Sequence, residues 1–547
     1  MALPGMLDVV TLERVFGYSL LFVVIGFVLD YAALPQHPKT IPAFGHGQSL
    51  WENLRNSVAY FTRYRSWITD GYLKYGKEGL PFVVPASISR ASDVVLPRSL
   101  VSWFMEQPDT ALSADEAHEG ILYGKYNFLD PRVAHESFGT RVIYKHLSRN
   151  LATLVPEIDD EVGFAVDFAL REVTDEWTTI NLWDMWLDIV PRVTNRMLAG
   201  REACRDDLFL NSMISYADDV VRSCILLRMF PKALHPIFGR LLTLPNWMHW
   251  WRAHRRLLPT IQQRLQDMQR QAEGAAELKN WVPPDDFISW YIRLALSEQR
   301  MEELDPTVIS KHLLPLEFAS IHTTVLTGHS WLLDLLTTAP EDRILEVLRN
   351  ELQSHKPPVG GPWTKSALLS LVRVDSSIRE SQRLSNFHAT LVERVVISPD
   401  GIRHPGFDWT LPKGIFVTVN LEGTHHDEDI YPHARTYDPL RFSRIREAWE
   451  KKPEEERRAA VDEGRKVMGL GMVTTSDQHF AFGLGRHACP GRFFVAHELK
   501  LVMAHLLLKY DVEMLSERPK PQWVGSQALP PLKAQIRVRR RRSCETA

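Results

Sequence analysis

The segment that constrains this chain most lies near its C-terminal end and reads Phe482-Gly-Leu-Gly-Arg-His-Ala-Cys489-Pro-Gly491. An amphipathic run follows from Gly491 to Lys509, with Leu499, Val502, Met503, Leu506 and Leu507 at helical spacing. Gly483, Gly485 and Gly491 admit positive φ and let the backbone pass close to a flat object. Cys489 stands just ahead of the helix start. The helix dipole there and the nearby Arg486 and Arg492 favour a thiolate. The competing reading is an inert cysteine in a glycine-rich turn, a poor account of so dense a pattern. Any fold built around this loop presents one sulfur at the mouth of a long helix.

Length and composition leave room for such a site in a large body. The chain has 547 residues, 45% hydrophobic and 24% charged, a globular balance without disordered or fibrous bias. A formal net charge of -3 gives no global attraction to nucleic acid, so no nucleic-acid partner is expected. The basic run at Arg537 and Arg539 to Arg542 reads as a solvated tail or edge strand, with anionic lipid or nucleic acid as the alternative. Cys204, Cys224, Cys489 and Cys544 form no CxxC pair. That leaves no case for a disulfide framework or zinc ribbon and fits a reducing compartment.

The N-terminus carries a targeting signal. Val15 to Leu29 holds no charge, and the apolar run continues past Asp30 to Leu34. A bilayer core of roughly 30 Å needs about 20 helical residues. Residues 1–34 are therefore expected to form a transmembrane anchor, with Asp30 near the interface. A cleaved signal peptide and a buried core helix are the alternatives; Asp8 and Glu13 beside the single Arg14 do not suit the first. Residues 35–45, with Pro35, Pro38 and Pro42, read as a stiff hinge, and 46–547 as one catalytic domain.

No repeat of solenoid length occurs. From Trp51 to His355 the periodicity is mostly helical, clearest over Leu147–Val173 and Ile309–Leu336. Strand-like pieces cluster later, at Leu391–Ile397 and Ile415–Asn420, bounded by turn residues. Lys451–Arg465 reads as a charged, helical, solvated stretch. The expected class is mainly α with a small β-rich lobe.

Three further segments carry chemistry. Glu380-Ser-Gln-Arg383 places an acid and a base on one helix face, although Ser377-x-x-Glu380 also reads as a capping box. Pro439-Leu-Arg441-Phe442 adds a second arginine. Ala319-Ser-Ile-His322-Thr323-Thr324 sets hydroxyls beside an imidazole inside an apolar helix; the alternative is hydroxyls bonded back to helix carbonyls.

Together, in this order, the segments resemble the cytochrome P450 family over nearly the whole chain, in particular a fungal, membrane-bound branch. The cysteine loop is similar to the family pattern FxxGxRxCxG, matching at Phe482, Gly485, Cys489 and Gly491 and departing at His487, where the family has arginine. The resemblance implies the P450 fold, haem b as cofactor and Cys489 as axial ligand to its iron. A thiolate there suits O–O bond cleavage. It implies propionate contacts from His487, Arg486 and Arg394, and a buried network of Glu380, Arg383 and Arg441. It implies proton delivery by Thr323 and His322, the latter standing where the family has an acid; an imidazole ordinarily titrates near pH 6.5. The family's WxxxR pair is missing: between Ser137 and Asn150 stand Arg141, Lys145, His146 and Arg149 but no Trp.

The implied activity is monooxygenation of an apolar small molecule, a terpenoid or other secondary-metabolite intermediate. NADPH-cytochrome P450 reductase would supply electrons, with cytochrome b5 as a further partner. Membrane lipid would hold the enzyme on the cytosolic face of the endoplasmic reticulum. By family position, residues before Thr323, Asn386–Leu391 and Gly525–Leu529 face the substrate. A haem-thiolate isomerase or ring-rearranging enzyme, and a non-catalytic haem-binding protein, are the alternatives.

Overall fold

The computed structural model describes residues 12–45, 50–87, 90–135 and 138–542. Cys544 and the leading residues 1–11 lie outside the described residues, as does Ser137. The expected class is what the chain adopts: a helical body with small sheets.

Ten helices position everything that follows: α1 (Leu12–Ala32), α2 (Leu50–Gly71), α3 (Ala114–Leu122), α4 (Phe138–Ala169), α5 (Leu182–Leu198), α6 (Asp207–Leu227), α7 (Leu244–Ala272), α8 (Pro306–Leu336), α9 (Val372–Leu384) and α10 (Arg492–Lys509). Helix α8 runs through the middle and packs on α5, α6, α7 and α9. Its start is fixed locally. Asp305 accepts the Thr307 amide at 2.7 Å, and Pro306 fills the first turn, where no N–H is needed. Its far end is pinned by Trp331, whose Nε1 donates to Ser377 Oγ of α9 at 3.0 Å. Apolar faces of α4, α5, α6, α7, α8 and α10 close the main core, with Trp186, Trp290 and Trp331 wholly buried.

The strands are short: β1 (Phe82–Val84), β2 (Asp93–Leu96), β3 (Leu112–Ser113), β4 (Thr178–Asn181), β5 (Thr390–Val396), β6 (Ile402–Arg403), β7 (Thr410–Leu411), β8 (Phe416–Asn420), β9 (Tyr510–Val512), β10 (Gln522–Val524), β11 (Gln527–Leu529) and β12 (Gln535–Arg540). The main sheet has the order β1-β2-β8-β5-β3, antiparallel except for the parallel β2–β8 pair. Phe416–Asn420 is buried at every position, and its two polar residues are satisfied there: Thr418 donates to Leu391 O and Asn420 to Ile68 O, both at 3.0 Å. The basic run is no edge strand. β12 lies in the centre of a three-stranded sheet, β4-β12-β9. Its inward residues are Ile536 and Val538, while Arg537 and Arg539 pair outside with Glu513 and Asp511.

The stretch Pro35–Pro42 leads straight into the sheet: Val83 N donates to Pro42 O at 2.9 Å and Phe44 N to Val83 O at 2.8 Å. The expected transmembrane helix is not supported. Among the described residues no helix is long and apolar enough to cross a membrane. The side chains of α1 are described from Gly17 onward. Those described side chains are nonetheless apolar and outward, Leu20, Leu21, Phe22 and Leu29 among them.

Candidate active site

The site is built where α10 begins. Gly483 and Gly485, both at positive φ, fold the loop so that Cys489 N donates to Phe482 O at 2.8 Å. The backbone amides of Gly491 and Arg492 at the helix start favour the charged form of the Cys489 sulfur. Burial is the largest influence and raises the thiol above its ordinary value, only partly offset by the two amides and Arg492. Arg486 has no share in it, because its guanidinium is turned to Asp109 (2.9 Å) and Gln107 O (2.7 Å). A bound iron would supply the missing pull at Cys489, since a coordinating thiol is deprotonated outright. Cys204 and Cys224 are unlike it: burial pushes both thiols up to about 12, inside the main core or beside it.

Beneath the loop sits the ion network. Glu380 and Arg383 are completely buried on α9 and joined twice, at 2.7 and 2.9 Å. Arg441 Nε donates to the same Glu380 Oε1 at 2.9 Å. The second positive charge is absorbed by carbonyls: Arg383 donates to His425 O and Ala434 O at 2.5 and 2.6 Å, Arg441 to Pro432 O at 2.7 Å. All three residues meet as the sequence implies. The capping-box alternative fails, because the helix starts at Val372 and Ser377 lies inside it, accepting from Trp331.

The anion side is more than the sequence shows. Arg394 of β5 is buried, yet its guanidinium has no carboxylate partner among the described residues and donates only to the Glu393 carbonyl at 2.8 Å. It lines one small pocket with Arg486 and His487. His487 Nε2 is 2.8 Å from Asp109 Oδ1, so Arg486 and His487 share one carboxylate. Burial would raise that carboxyl, but the two partners hold it below its ordinary value. His118 of α3, which sequence reasoning missed, lies deep beside Arg394 and His487; burial and then Arg394 depress its imidazole. A buried cation needs a counter-charge, and a haem carboxylate fits. The cations between Arg141 and Arg149 are spoken for in part: Arg141 and Lys145 turn to Glu298, and His146 stacks on Trp290. From the same helix Tyr144 instead reaches the cysteine loop, its hydroxyl donating to Ala488 O at 3.2 Å.

On α8, Ala319 and Thr323 are exposed in a helix otherwise closed in by neighbours. Thr323 Oγ1 donates back to Ala319 O at 2.5 Å, leaving its lone pairs free to accept. His322 turns sideways, with Nε2 2.9 Å from Asp218 Oδ1 of α6. The two segments expected to face substrate are in direct contact, with Ala389 N on Ser526 O at 2.8 Å and Ala528 N on Phe387 O at 2.9 Å.

Comparison with known proteins agrees with this geometry. The family model for cytochrome P450 matches residues 144–538. The chain is 31% identical to cytochrome P450 monooxygenase gloP of Glarea lozoyensis, over 91% of this chain and 90% of that protein. It is 31% identical to okaG of Penicillium ochrochloron, over 92% and 94%, and 28% identical to polB of Polytolypa hystricis, over 94% and 96%; both are cytochrome P450 monooxygenases. With the cysteine loop at the start of α10, the buried Glu380–Arg383–Arg441 network and the matched model on one chain, the protein belongs to the cytochrome P450 family, whose members bind haem b, and is a monooxygenase of that family.

Proposed function

We propose that this monooxygenase inserts one oxygen atom from O2 into a largely apolar small molecule, a terpenoid or another fungal secondary-metabolite intermediate. Electrons come from NADPH through a membrane-bound cytochrome P450 reductase, with cytochrome b5 as a second donor. The observation that carries the reading is Cys489, a free cysteine left partly exposed at the start of α10, where the Gly491 and Arg492 amides favour its charged form.

Bound haem supplies the oxygen-activating chemistry. The chain does the rest. Cys489 holds the iron. Arg394 receives a propionate, with Arg486, His487 and His118 around it. Thr323 offers an acceptor on the substrate side. Apolar neighbours exclude water. His388, on the first of the two contacting substrate segments, has a ring that finds no hydrogen-bond partner among the described residues. Burial holds it neutral, pushed down to about 4. A neutral imidazole on this segment suits a substrate with one hydroxyl or carbonyl on an apolar frame.

Membrane attachment at the endoplasmic reticulum, catalytic body in the cytosol, is part of the proposal. Asp30 of α1 accepts the Lys232 amide at 2.6 Å, and Gly26 fits against Pro231 with no room for a methyl group, 2.7 Å from the ring. Around that contact Met229, Ile237, Leu241, Leu244, Trp247 and Trp251 are all outward. Apolar helix and apolar face on one side suit contact with lipid.

The test is reconstitution with reductase and NADPH. The reduced protein with carbon monoxide should show the thiolate-type band, and candidate substrates should drive NADPH consumption with one oxygen gained in the product. Haem binding without turnover on any substrate would leave a carrier or an isomerase as the better reading.

A further inference from the structure

We propose that Asp334 and Arg518 are positioning residues that set the shape of the substrate pocket, one buried carboxylate at the end of α8 holding the roots of both substrate-facing segments. The inference rests on the monooxygenase reading and goes beyond it by naming a pair that none of the chain's motifs contains.

Three walls of the pocket are expected from α8, Asn386–Leu391 and Gly525–Leu529, and all three trace back to Asp334. Its side chain is 1% exposed. Ser381 Oγ donates to Asp334 Oδ2 at 2.6 Å, and Ser385 Oγ and Arg518 Nε donate to Oδ1 at 2.9 and 2.5 Å. Ser385 immediately precedes Asn386, so it roots the first segment. Arg518 lies shortly before β10, which leads into the second. The strap between β9 and β10 is fixed again at Leu515, whose amide donates to the last carbonyl of α8, Leu336 O, at 2.7 Å. Burial raises the Asp334 carboxyl above its ordinary value, and Arg518 and the two serines pull against that. A buried carboxylate keeps its charge only with such partners.

The pair acts at a distance. Thr323 lies about three turns earlier on α8, on the order of 16 Å along the axis, so Asp334 touches no reacting atom. The two segments are also bonded to each other, Ala389 N to Ser526 O and Ala528 N to Phe387 O, and to α2 by Gly525 N on Phe61 O at 2.9 Å. None of these bonds involves α8. Losing the Asp334–Arg518 pair therefore leaves the two segments joined as one wall but frees that wall to shift against α8. A shift of that kind changes the fit of a ligand that spans the space between wall and helix. A ligand too small to touch the wall does not feel it.

The experiment uses full-length, haem-loaded protein and two azoles that bind iron through nitrogen: clotrimazole, bulky enough to meet the wall, and imidazole, which is not. Absorbance titration gives a Kd for each. Asp334→Asn and Arg518→Gln should keep the thiolate-type carbon monoxide band, leave the imidazole Kd unchanged and weaken clotrimazole on the order of 10-fold. Arg518→Lys, which keeps a charge and a donor, should regain most of that loss. Where Asp334→Asn fails to fold, Arg518→Gln carries the test, because Arg518 is 25% exposed and both serines stay on Asp334. A pair that is merely structural would lower Tm and leave the ratio of the two Kd values at the parent's, and that result overturns the proposal. Equal weakening of both azoles overturns it as well. A parent protein with neither the carbon monoxide band nor an azole shift overturns the haem reading beneath it, which is a separate result.

Discussion

Glu380 satisfies two arginines and the Asp438 amide with one carboxylate, at zero exposure. Glu380→Gln leaves Arg383 and Arg441 buried against a neutral amide. Breaking a buried pair costs about 3–5 kcal/mol, so the variant should melt far below the parent and retain little haem, read by calorimetry and haem content. Cys489→Ala should melt close to the parent yet lack the thiolate-type carbon monoxide band; an unchanged band would sink the ligand assignment. Arg394→Ala should fold and lose haem to apomyoglobin faster than the parent, because the anion pocket keeps only the shared Arg486–His487 pair. At this scale legibility follows sequence distance. Glu380 and Arg383 are three residues apart, and helix geometry alone joins them. Asp109 is 378 residues from His487 and Asp218 is 104 from His322, so no local spacing announces either.

Helix α8 shows what an element adds. Gly328 faces the Trp186 indole so closely that a Cβ would stand 2.6 Å from it, and Trp186 is wholly buried. Gly328→Ala should cost about 1–3 kcal/mol as an overpacking defect, visible as a lower Tm with the carbon monoxide spectrum kept. One turn of the same helix carries Glu317, with a carboxyl that burial raises to about 8. Its folded value exceeds its unfolded one, so its contribution is greatest in acid and is lost as pH rises toward 8. Thermal stability of the parent should therefore fall between pH 5 and 8 relative to Glu317→Gln, and parallel profiles would show that Glu317 is already ionised. The periodic run Ile309–Leu336 is nearly the helix observed, Pro306–Leu336, because apolar spacing persists along it. Lys451–Arg465 is less well read: it divides into Glu454–Ala459 and Val461–Met468, since no apolar stripe dictates where a solvated helix breaks. Leu147–Val173 belongs to a helix that starts earlier, at Phe138, and continues through Pro156.

For the molecule as a whole, the mainly helical class was readable from periodicity, and the haem side from ordered motifs. What stayed hidden was pairing across long distances, including the central place of β12. The outward apolar residues of α1 and of the Met229–Trp251 region predict two-part attachment. Protein lacking residues 1–34 should remain partly with microsomes and leave them on replacing Trp247 and Trp251 by Ser; full solubility after the truncation alone would refute the second contact. β12 has one more consequence, which concerns time. Its partner β4 precedes it by more than 350 positions, Ile536 lying opposite Ile180. Loop-closure entropy delays so distant a pairing. Until it forms, β4 and β9 both expose unpaired edges. The last strand made is thus the one that shields the molecule from its neighbours, and a stalled or prematurely ended synthesis yields a protein that has its cysteine loop but aggregates.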